Sequence, residues 1–438
     1  MSVLAVTLPL AVFGFLVFIL LIGPLPRCRG TWLERSYWWL TEDLPTWAGN
    51  LTVRLCGNRA AGLASRCVDL SFNTGHPFFQ VLFVALFVGG LLIFMIFGWH
   101  HVPGPYLSAW HCLFIPVVIM VPIYTYVKSC STDPGRIAED NAPEAYRLFP
   151  YDLIIFDPYR CRTCHTIKPA RSKHCSLCNA CIAGMDHHCV WINNCVGHNN
   201  YRYFISFLIS MVFLSAYGSY VMANIFRGVR KAEGLDTAWV WDPDLKRQVP
   251  VGWFQSYQLV LAAEPLVGAL GILLALITPA LGAFLAYALY VTIQGATANE
   301  CDKWNDLDDW IRDGGAYWIP VTPPHAAFVR ALDPTRAELP TRRIFIADAA
   351  TARWLVRRDQ DTTLQPNSGT SDSLNDGEEV GQRPVVTLPE GVAPEDAAMI
   401  RSLEDVDNLY DRGWWENLRW ALWGPRLSPT QLTKPKDS

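Results

Sequence analysis

CRTCHTIKPARSKHCSLCNACIAGMDHHCVWINNC, residues 161–195, holds seven of the thirteen cysteines in this 438-residue chain. Its spacing is Cys161-x2-Cys164-x9-His174-Cys175-x2-Cys178-x2-Cys181-x4-Asp186-His187-His188-Cys189-x5-Cys195. A Cys-x2-Cys pair lets two thiolates grip one tetrahedral zinc ion from a tight turn. Two closed sites need eight ligands. Leaving His165 aside, the stretch offers seven Cys and three His, so six Cys and two His fill two Cys₃His sites. One Cys and one His are left over. Cysteines packed this tightly in a long chain read as metal ligation in a reducing compartment, not as a disulfide framework. The spare thiol is best assigned to Cys189, which sits beside an acid and two imidazoles. A thiolate is the reactive form of cysteine, and a neighbouring His can take its proton. His187 fits that role, with Asp186 fixing its tautomer and stabilising the imidazolium.

Working outward, the segment lies between long apolar blocks. Hydrophobic residues make up 51% of the chain and charged residues 17%, and the apolar ones are concentrated rather than spread. Five stretches approach the ~20 apolar residues that cross a ~30 Å hydrocarbon layer. They are Val3–Gly23, Phe78–Gly98, Leu107–Val127, Phe204–Phe226 and Leu266–Ile293. Several of the eighteen Trp lie near the ends of these blocks, where amphipathic rings favour the membrane–water interface. A net charge of -4 gives no reason to expect nucleic acid as a partner.

Orientation follows the basic residues. The loop 24–77 carries six Arg, 99–106 none, and 128–203 nine Lys or Arg. This predicts an outside N-terminus, with the loop 24–77, the cysteine-rich stretch and the C-terminal tail in the cytosol. Five basic residues in 227–265 run against the rule. Asn50-Leu51-Thr52 matches the glycosylation pattern but is cytosolic in this topology.

The predicted architecture is an all-α polytopic membrane protein of about five transmembrane helices, with a cytosolic zinc-binding domain of short β-hairpins and loops. Residues 1–127 hold three spans and the cytosolic loop. Residues 128–203 form the cysteine-rich domain, held by metal rather than by a core. Residues 204–293 hold two further spans, and 294–438 form a cytosolic tail. Within the tail, 359–395 is rich in Asp, Glu, Ser, Thr, Gly and Pro and reads as disordered, while 396–424 regains amphipathic, Trp-rich character.

Asp186-His187-His188-Cys189 within this cysteine spacing resembles the DHHC cysteine-rich domain of protein palmitoyltransferases. The likeness extends over Lys168-Pro169-Ala170-Arg171, His174-Cys175, Cys195, Asn200 and Phe204. Asp133-Pro134-Gly135 resembles the family's Asp-Pro-Gly. Thr297-Ala298-Asn299-Glu300 resembles its Thr-Thr-x-Glu, with Ala298 in place of the second Thr. Asn408-Leu409-Tyr410-Asp411-Arg412-Gly413 followed by Asn417, at the start of 408–424, resembles the C-terminal segment that packs under the active site. The stretch 301–400 lies outside the likeness.

The resemblance implies interleaved zinc sites: Cys161, Cys164, His174 and Cys181 in one, and Cys175, Cys178, His188 and Cys195 in the other. It implies fatty acyl-CoA, palmitoyl-CoA foremost, as co-substrate, an acyl-enzyme on Cys189, and transfer to a substrate thiol. Lys168, Arg171 and Lys173 are candidates for the CoA phosphates, and Trp191 for a place beside the thioester. Five spans, together with Asn299-Glu300-Cys301-Asp302-Lys303-Trp304 after the last one, resemble the fungal branch linked to spore-wall formation. That branch implies the endoplasmic reticulum membrane, with the Golgi as the other location. It also implies substrates such as SNAREs with cysteines near the bilayer. The ending Lys434-Pro435-Lys436-Asp437-Ser438 resembles a Lys-x-Lys-x-x retrieval signal. Two rival classes are a non-catalytic, membrane-anchored zinc module and a RING-type ubiquitin ligase. The first leaves Cys189 beside Asp186 and His187 unexplained, and the second needs longer loops between ligand pairs.

Overall fold

In a computed structural model, the described residues are 77–242, 246–336, 338–346 and 392–430, most of 30–54, and a few positions before them. The span expected at 3–23 lies almost wholly outside them. So do residues 359–391 of the stretch expected to be disordered, and the Lys-x-Lys-x-x ending. The chain divides into two compact units.

The first unit comprises residues 1–131, 189–194 and 202–289. A short helix, α1 (Trp32–Trp38), precedes four helices long and apolar enough to cross a membrane. These are α2 (Phe78–Ile93, continued by π and 3-10 turns to His101), α3 (Trp110–Ser131), α5 (Tyr201–Ala232) and α7 (Pro265–Ile293). Their surfaces show membrane logic: Val81, Leu86, Leu113 and Met120 are exposed and apolar, as residues facing lipid tails are. A tight cluster of Phe94, Val102, Leu107, Ile115, Val221, Met222 and Ile225 fixes one end of the bundle. The connection between α5 and α7 carries the ribbon β6–β7 (Trp239–Asp242, Arg247–Pro250) and helix α6 (Trp253–Ala263).

The second unit comprises residues 132–188, 195–201 and 290–438. Strand β1 (Arg136–Ile137), helix α4 (Ala142–Leu148), and strands β2 (Lys173–Cys175) and β3 (Ala180–Ile182) open it, the three strands forming one antiparallel sheet in the order β1-β3-β2. Strand β4 (His187–Cys189) pairs with β5 (Asn194–Val196) as a separate hairpin. The tail adds α8 (Ala298–Arg312), β8 (Ala316–Pro320), α9 (Pro323–Leu332), β9 (Arg342–Ile346), β10 (Ala398–Met399) and α10 (Trp414–Trp423). The sheet β10-β8-β9 packs beside a cluster of Leu307, Ile311, Ala316, Ile400 and Val406. The residues of 301–400 on either side of 347–391 are therefore folded chain, a feature absent from the resemblance.

The expectation of a zinc domain without a core needs correcting. Tyr146, Phe149, Tyr151, Leu153 and Phe156 are buried together with Val329, Tyr410 and Leu427. The tail donates part of this core from more than 170 residues downstream, and the aromatic residues follow neither helical nor strand periodicity. Pattern reading within 128–203 alone has no signal for such a core.

Candidate active site

Strand alternation explains how two metal sites interleave. In the β2–β3 ladder His174 lies opposite Cys181, so both side chains point to the same face. Cys175, the next residue, points to the other face. Adjacent residues therefore serve different sites. On one side the Nδ1 of His174 lies 3.6 Å from Cys161 Sγ, 3.3 Å from Cys164 Sγ and 3.9 Å from Cys181 Sγ. On the other, the Nδ1 of His188 lies 3.6 Å from Cys175 Sγ and 3.5 Å from the Sγ of both Cys178 and Cys195. A tetrahedral ion with bonds of ~2.3 Å to sulfur and ~2.0 Å to nitrogen sets an S···N edge of about 3.6 Å. The four ligand atoms of each group lie within 4.8 Å of one another. Both groups thus have the size and donor chemistry of closed, four-ligand metal sites.

The same alternation sorts the DHHC strand. His188 turns to its metal group, while His187 and Cys189, two residues apart on β4, share the opposite face. Cys189 belongs to neither ligand set. His187 Nδ1 bonds Asp186 Oδ2 at 2.8 Å, which leaves Nε2 as its base nitrogen. The other carboxylate oxygen, Asp186 Oδ1, accepts the backbone N–H of Ala298 at 2.6 Å. Ala298 is the first residue of α8, a fifteen-residue helix. Its amide terminus stabilises a carboxylate there. The hydroxyl absent at Ala298 is thus not needed for this bond, because the peptide N–H makes it. Thr297 Oγ1 donates to Met185 O at 3.1 Å, tying the helix start to the residue before the acid.

A capping box builds that helix start. Glu300 N donates to Thr297 Oγ1, and Thr297 N donates to Glu300 Oε2 at 2.9 Å. Glu300 is 1% exposed and needs a counter-charge. Arg171 supplies it with Nε on Oε1 at 2.7 Å and Nη2 on Oε2 at 2.6 Å, and Nη2 also reaches Gly295 O at 3.0 Å. The guanidinium lies 4.6 Å from the centre of the Tyr410 ring, and Tyr410 donates to Pro150 O at 2.6 Å. Asn417 Nδ2 donates to Ile293 O at 2.9 Å and to Asp411 Oδ1 at 2.7 Å, anchoring the C-terminal segment to the end of the last span. Arg171 is therefore corrected from a CoA ligand to a buried structural cation. Lys173 is exposed on β2. Lys168 stacks over the Tyr159 ring at 4.4 Å and donates to its hydroxyl at 3.1 Å.

The hairpin tip has its own anchors within the first unit. Tyr126 donates to Trp191 O at 3.0 Å. Asn194 Nδ2 reaches Ser129 O and Cys130 O, each at 3.3 Å. The Phe79 ring meets Trp191 edge-on with centroids 5.6 Å apart. Tyr126, Ser129 and Cys130 lie at the end of α3, and Phe79 at the start of α2. Cys189 is buried, whereas Trp191 is 44% exposed. Neither Tyr126 nor Asn194 stood out in the sequence, though the aromatic and amide residues on either side of the cluster were visible there.

Burial, reinforced by the carboxylates of Glu300, Asp186 and Asp302, pushes Cys301 up to about 11, so it stays a thiol at neutral pH. His198, buried and donating to Pro425 O at 2.7 Å, is pushed down to about 4 by desolvation and stays neutral.

The family model described as DHHC palmitoyltransferase matches residues 155–305. A protein named palmitoyltransferase swf1 from Emericella nidulans is 33% identical over 427 residues, covering 94% of this chain and 95% of that relative. The chain belongs to the DHHC palmitoyltransferase family. A palmitoyltransferase swf1 from Schizosaccharomyces pombe is 29% identical over 307 residues, 70% of this chain and 82% of its own length. Palmitoyltransferase ZDHHC4 of Bos taurus is 35% identical over 195 residues, 44% and 56% of the two chains. This DHHC chain is a multi-pass membrane protein and a protein S-acyltransferase, with membrane lipid and membrane proteins as its surroundings and substrates.

Proposed function

We propose that the chain transfers a palmitoyl group from palmitoyl-CoA to cysteine thiols of membrane proteins through an acyl-enzyme on Cys189. His187 Nε2 takes the thiol proton and Asp186 holds the imidazolium. The thiolate attacks the thioester carbonyl, the carbon–sulfur bond to CoA breaks, and CoA leaves as a thiol after accepting the proton from His187. His187 then takes the proton of a substrate thiol, the resulting thiolate attacks the new thioester, the acyl bond to Cys189 breaks, and the proton passes to the Cys189 sulfur, restoring the starting state. One observation carries this reading: Cys189 is the cysteine of the cluster that neither metal group uses, and it shares a strand face with an imidazole already bonded to a carboxylate.

Each ligand group suits Zn²⁺, since three sulfurs and one imidazole fill a tetrahedral shell. An ion in the first group would tie the 161–164 turn to β2 and β3, one in the second would tie β2 to β4 and β5, and four protein ligands in each would leave no open position for a catalytic water. The acyl chain enters between the spans below the hairpin tip. Phe83 lies 4.9 Å from Tyr126 and 5.8 Å from Phe207 there, ring centre to ring centre. About a dozen buried methylenes stabilise such a chain by on the order of 10 kcal/mol. With Arg171 committed to Glu300, Lys168 and Lys173 remain for the CoA phosphates. The resemblance of the sequence to the fungal spore-wall branch is what favours the endoplasmic reticulum membrane, with the Golgi as the other location, and single-span substrates such as SNAREs.

The test is purified protein with labelled palmitoyl-CoA. Wild type takes up a label that hydroxylamine releases, Cys189→Ser takes up none, and both retain about two zinc ions per chain. Equal labelling of both proteins overturns the proposal.

A further inference from the structure

At the membrane end opposite residues 131 and 201, the first unit contains a cavity of about 290 Å³ that the acyl-transfer chemistry does not use. Chain alternation fixes its side. The connections 102–109 and 233–264 join successive spanning helices and so lie at the face opposite the one from which 132–200 emerges. The residues that give the cavity its chemistry are His100, His101, Tyr106, Asn224, Glu233 and Glu264. They come from the ends of α2 and α5, the α2–α3 connection, and the junction of α6 with α7.

Its charges are arranged in two poles. At one, His100, His101, Glu233 and Glu264 line the cavity, with His101 and Glu264 nearest each other. The Nε2 of His101 is buried with no hydrogen-bond partner among the described residues and lies 3.9 Å from Glu264 Oε1. The ring of His100 lies 3.9 Å from that of His101, centre to centre. The other pole stands beside the cavity rather than in its lining: two exposed cations flank the Tyr106 ring, Arg227 at 4.4 Å and Lys231 at 5.6 Å. Arg227 also donates to Asn224 Oδ1 at 3.3 Å. A ligand that satisfies both poles carries a cation and an anion.

We propose that this cavity binds the headgroup of an amino-phospholipid of the non-cytosolic leaflet, with its ammonium at Glu264, Glu233 and His101 and its phosphate at Arg227 and Lys231. Three arguments favour that ligand. An imidazole nitrogen without a partner can accept an N–H, and a primary ammonium offers three while a quaternary one offers none. Guanidinium and ammonium side chains at a span end are phosphate ligands of the kind that holds lipid headgroups. The depth is also right. In the same connection Trp239, Trp241 and Trp253 are 63%, 60% and 70% exposed, as Trp is at the membrane–water interface. A lone metal ion suits the space less well. The cavity is many times the volume of one ion, and the described residues bring no third ligand close to the His101–Glu264 pair.

The experiment uses the full chain, delipidated in detergent, and counts adducts by native mass spectrometry. The probes are dihexanoyl phosphatidylethanolamine, phosphatidylcholine and phosphatidylglycerol, with free phosphoethanolamine as a fourth arm. The expected result is one phosphatidylethanolamine per chain, retained at least tenfold better than the other two lipids. That preference is lost in Glu264→Gln and weakened in Glu233→Gln. Unchanged zinc content and unchanged Cys189 acylation in both variants show that the fold and the acyl site are intact. Equal retention of the three lipids, or an unaltered preference in both variants, overturns the proposal. So does free phosphoethanolamine binding as tightly as the lipid, or a third metal ion per chain that Glu264→Gln removes.

Discussion

Replacing Glu300 by Gln should disable this enzyme without touching its nucleophile. The residue is 1% exposed, and its carboxylate carries both charged bonds of Arg171, at 2.7 and 2.6 Å, together with one half of the α8 capping box. Breaking a buried pair at one partner leaves the other charge uncompensated and costs about 3–5 kcal/mol. Gln keeps the size and part of the hydrogen bonding, so the lower end applies. At roughly 3 °C per kcal/mol for a domain of this size, the melting midpoint should fall by about 10 °C. Arg171→Met should cost a similar amount, because it buries the carboxylate alone. The double variant Arg171→Met, Glu300→Leu should recover most of the loss, since exchanging both partners for apolar groups of similar volume is close to neutral. The assay is a thermal melt of purified protein followed by cysteine reactivity, run in parallel with palmitoyl-CoA labelling of Cys189. Labelling in Glu300→Gln should fall at temperatures well below its melt, because α8 presents the N–H that holds Asp186. Single variants within about 1 kcal/mol of wild type, or a double variant that simply adds the two losses, would refute the reasoning.

Three further outcomes follow from the same geometry. Asp186→Asn should leave zinc content unchanged but lower the rate of Cys189 acylation by on the order of 10²–10⁴, because the amide favours the wrong imidazole tautomer; stopped-flow release of CoA measures this. Thr297→Ala removes the cap and the bond to Met185 O and should cost about 1 kcal/mol of stability, whereas Thr297→Ser should restore both the melt and the labelling rate. His198 titrates at about 4 when folded against 6.5 for a free imidazole. A lowered histidine pKa means that the unfolded chain binds the proton first, so stability is full above pH 6.5 and declines as pH falls towards 4. The total loss is about 3 kcal/mol at 1.36 kcal/mol per unit. His198→Gln, which can still donate to Pro425 O, should show a correspondingly shallower acid decline in its melting midpoint.

What the sequence revealed depended on whether the signal was local. The ligand count of the cysteine cluster was legible because Cys-x2-Cys turns are self-contained. The assignment of ligands to sites was not, because it depends on the β2–β3 register that sets His174 opposite Cys181. Four of the five expected spans could be compared, and each corresponds to a long apolar helix. The role of Arg171 was misjudged because its partner lies 129 residues away and a buried cation looks like a surface one in sequence. The core under the zinc domain escaped for the same reason, since Tyr410 and Leu427 reach it from the far end of the chain. Ala298 departs from the family's second Thr, yet the bond it contributes comes from its backbone.

The central claim is that one sulfur escapes the metal sites and carries the acyl group. Proteolysis of palmitoyl-CoA-treated protein at low pH, with mass-spectrometric mapping of the cysteine peptides, tests it directly. A single hydroxylamine-labile palmitoyl adduct on the peptide bearing Cys189 is the predicted result. An adduct confined to Cys130, Cys301 or a zinc-ligand cysteine, with Cys189 unmodified, would contradict it.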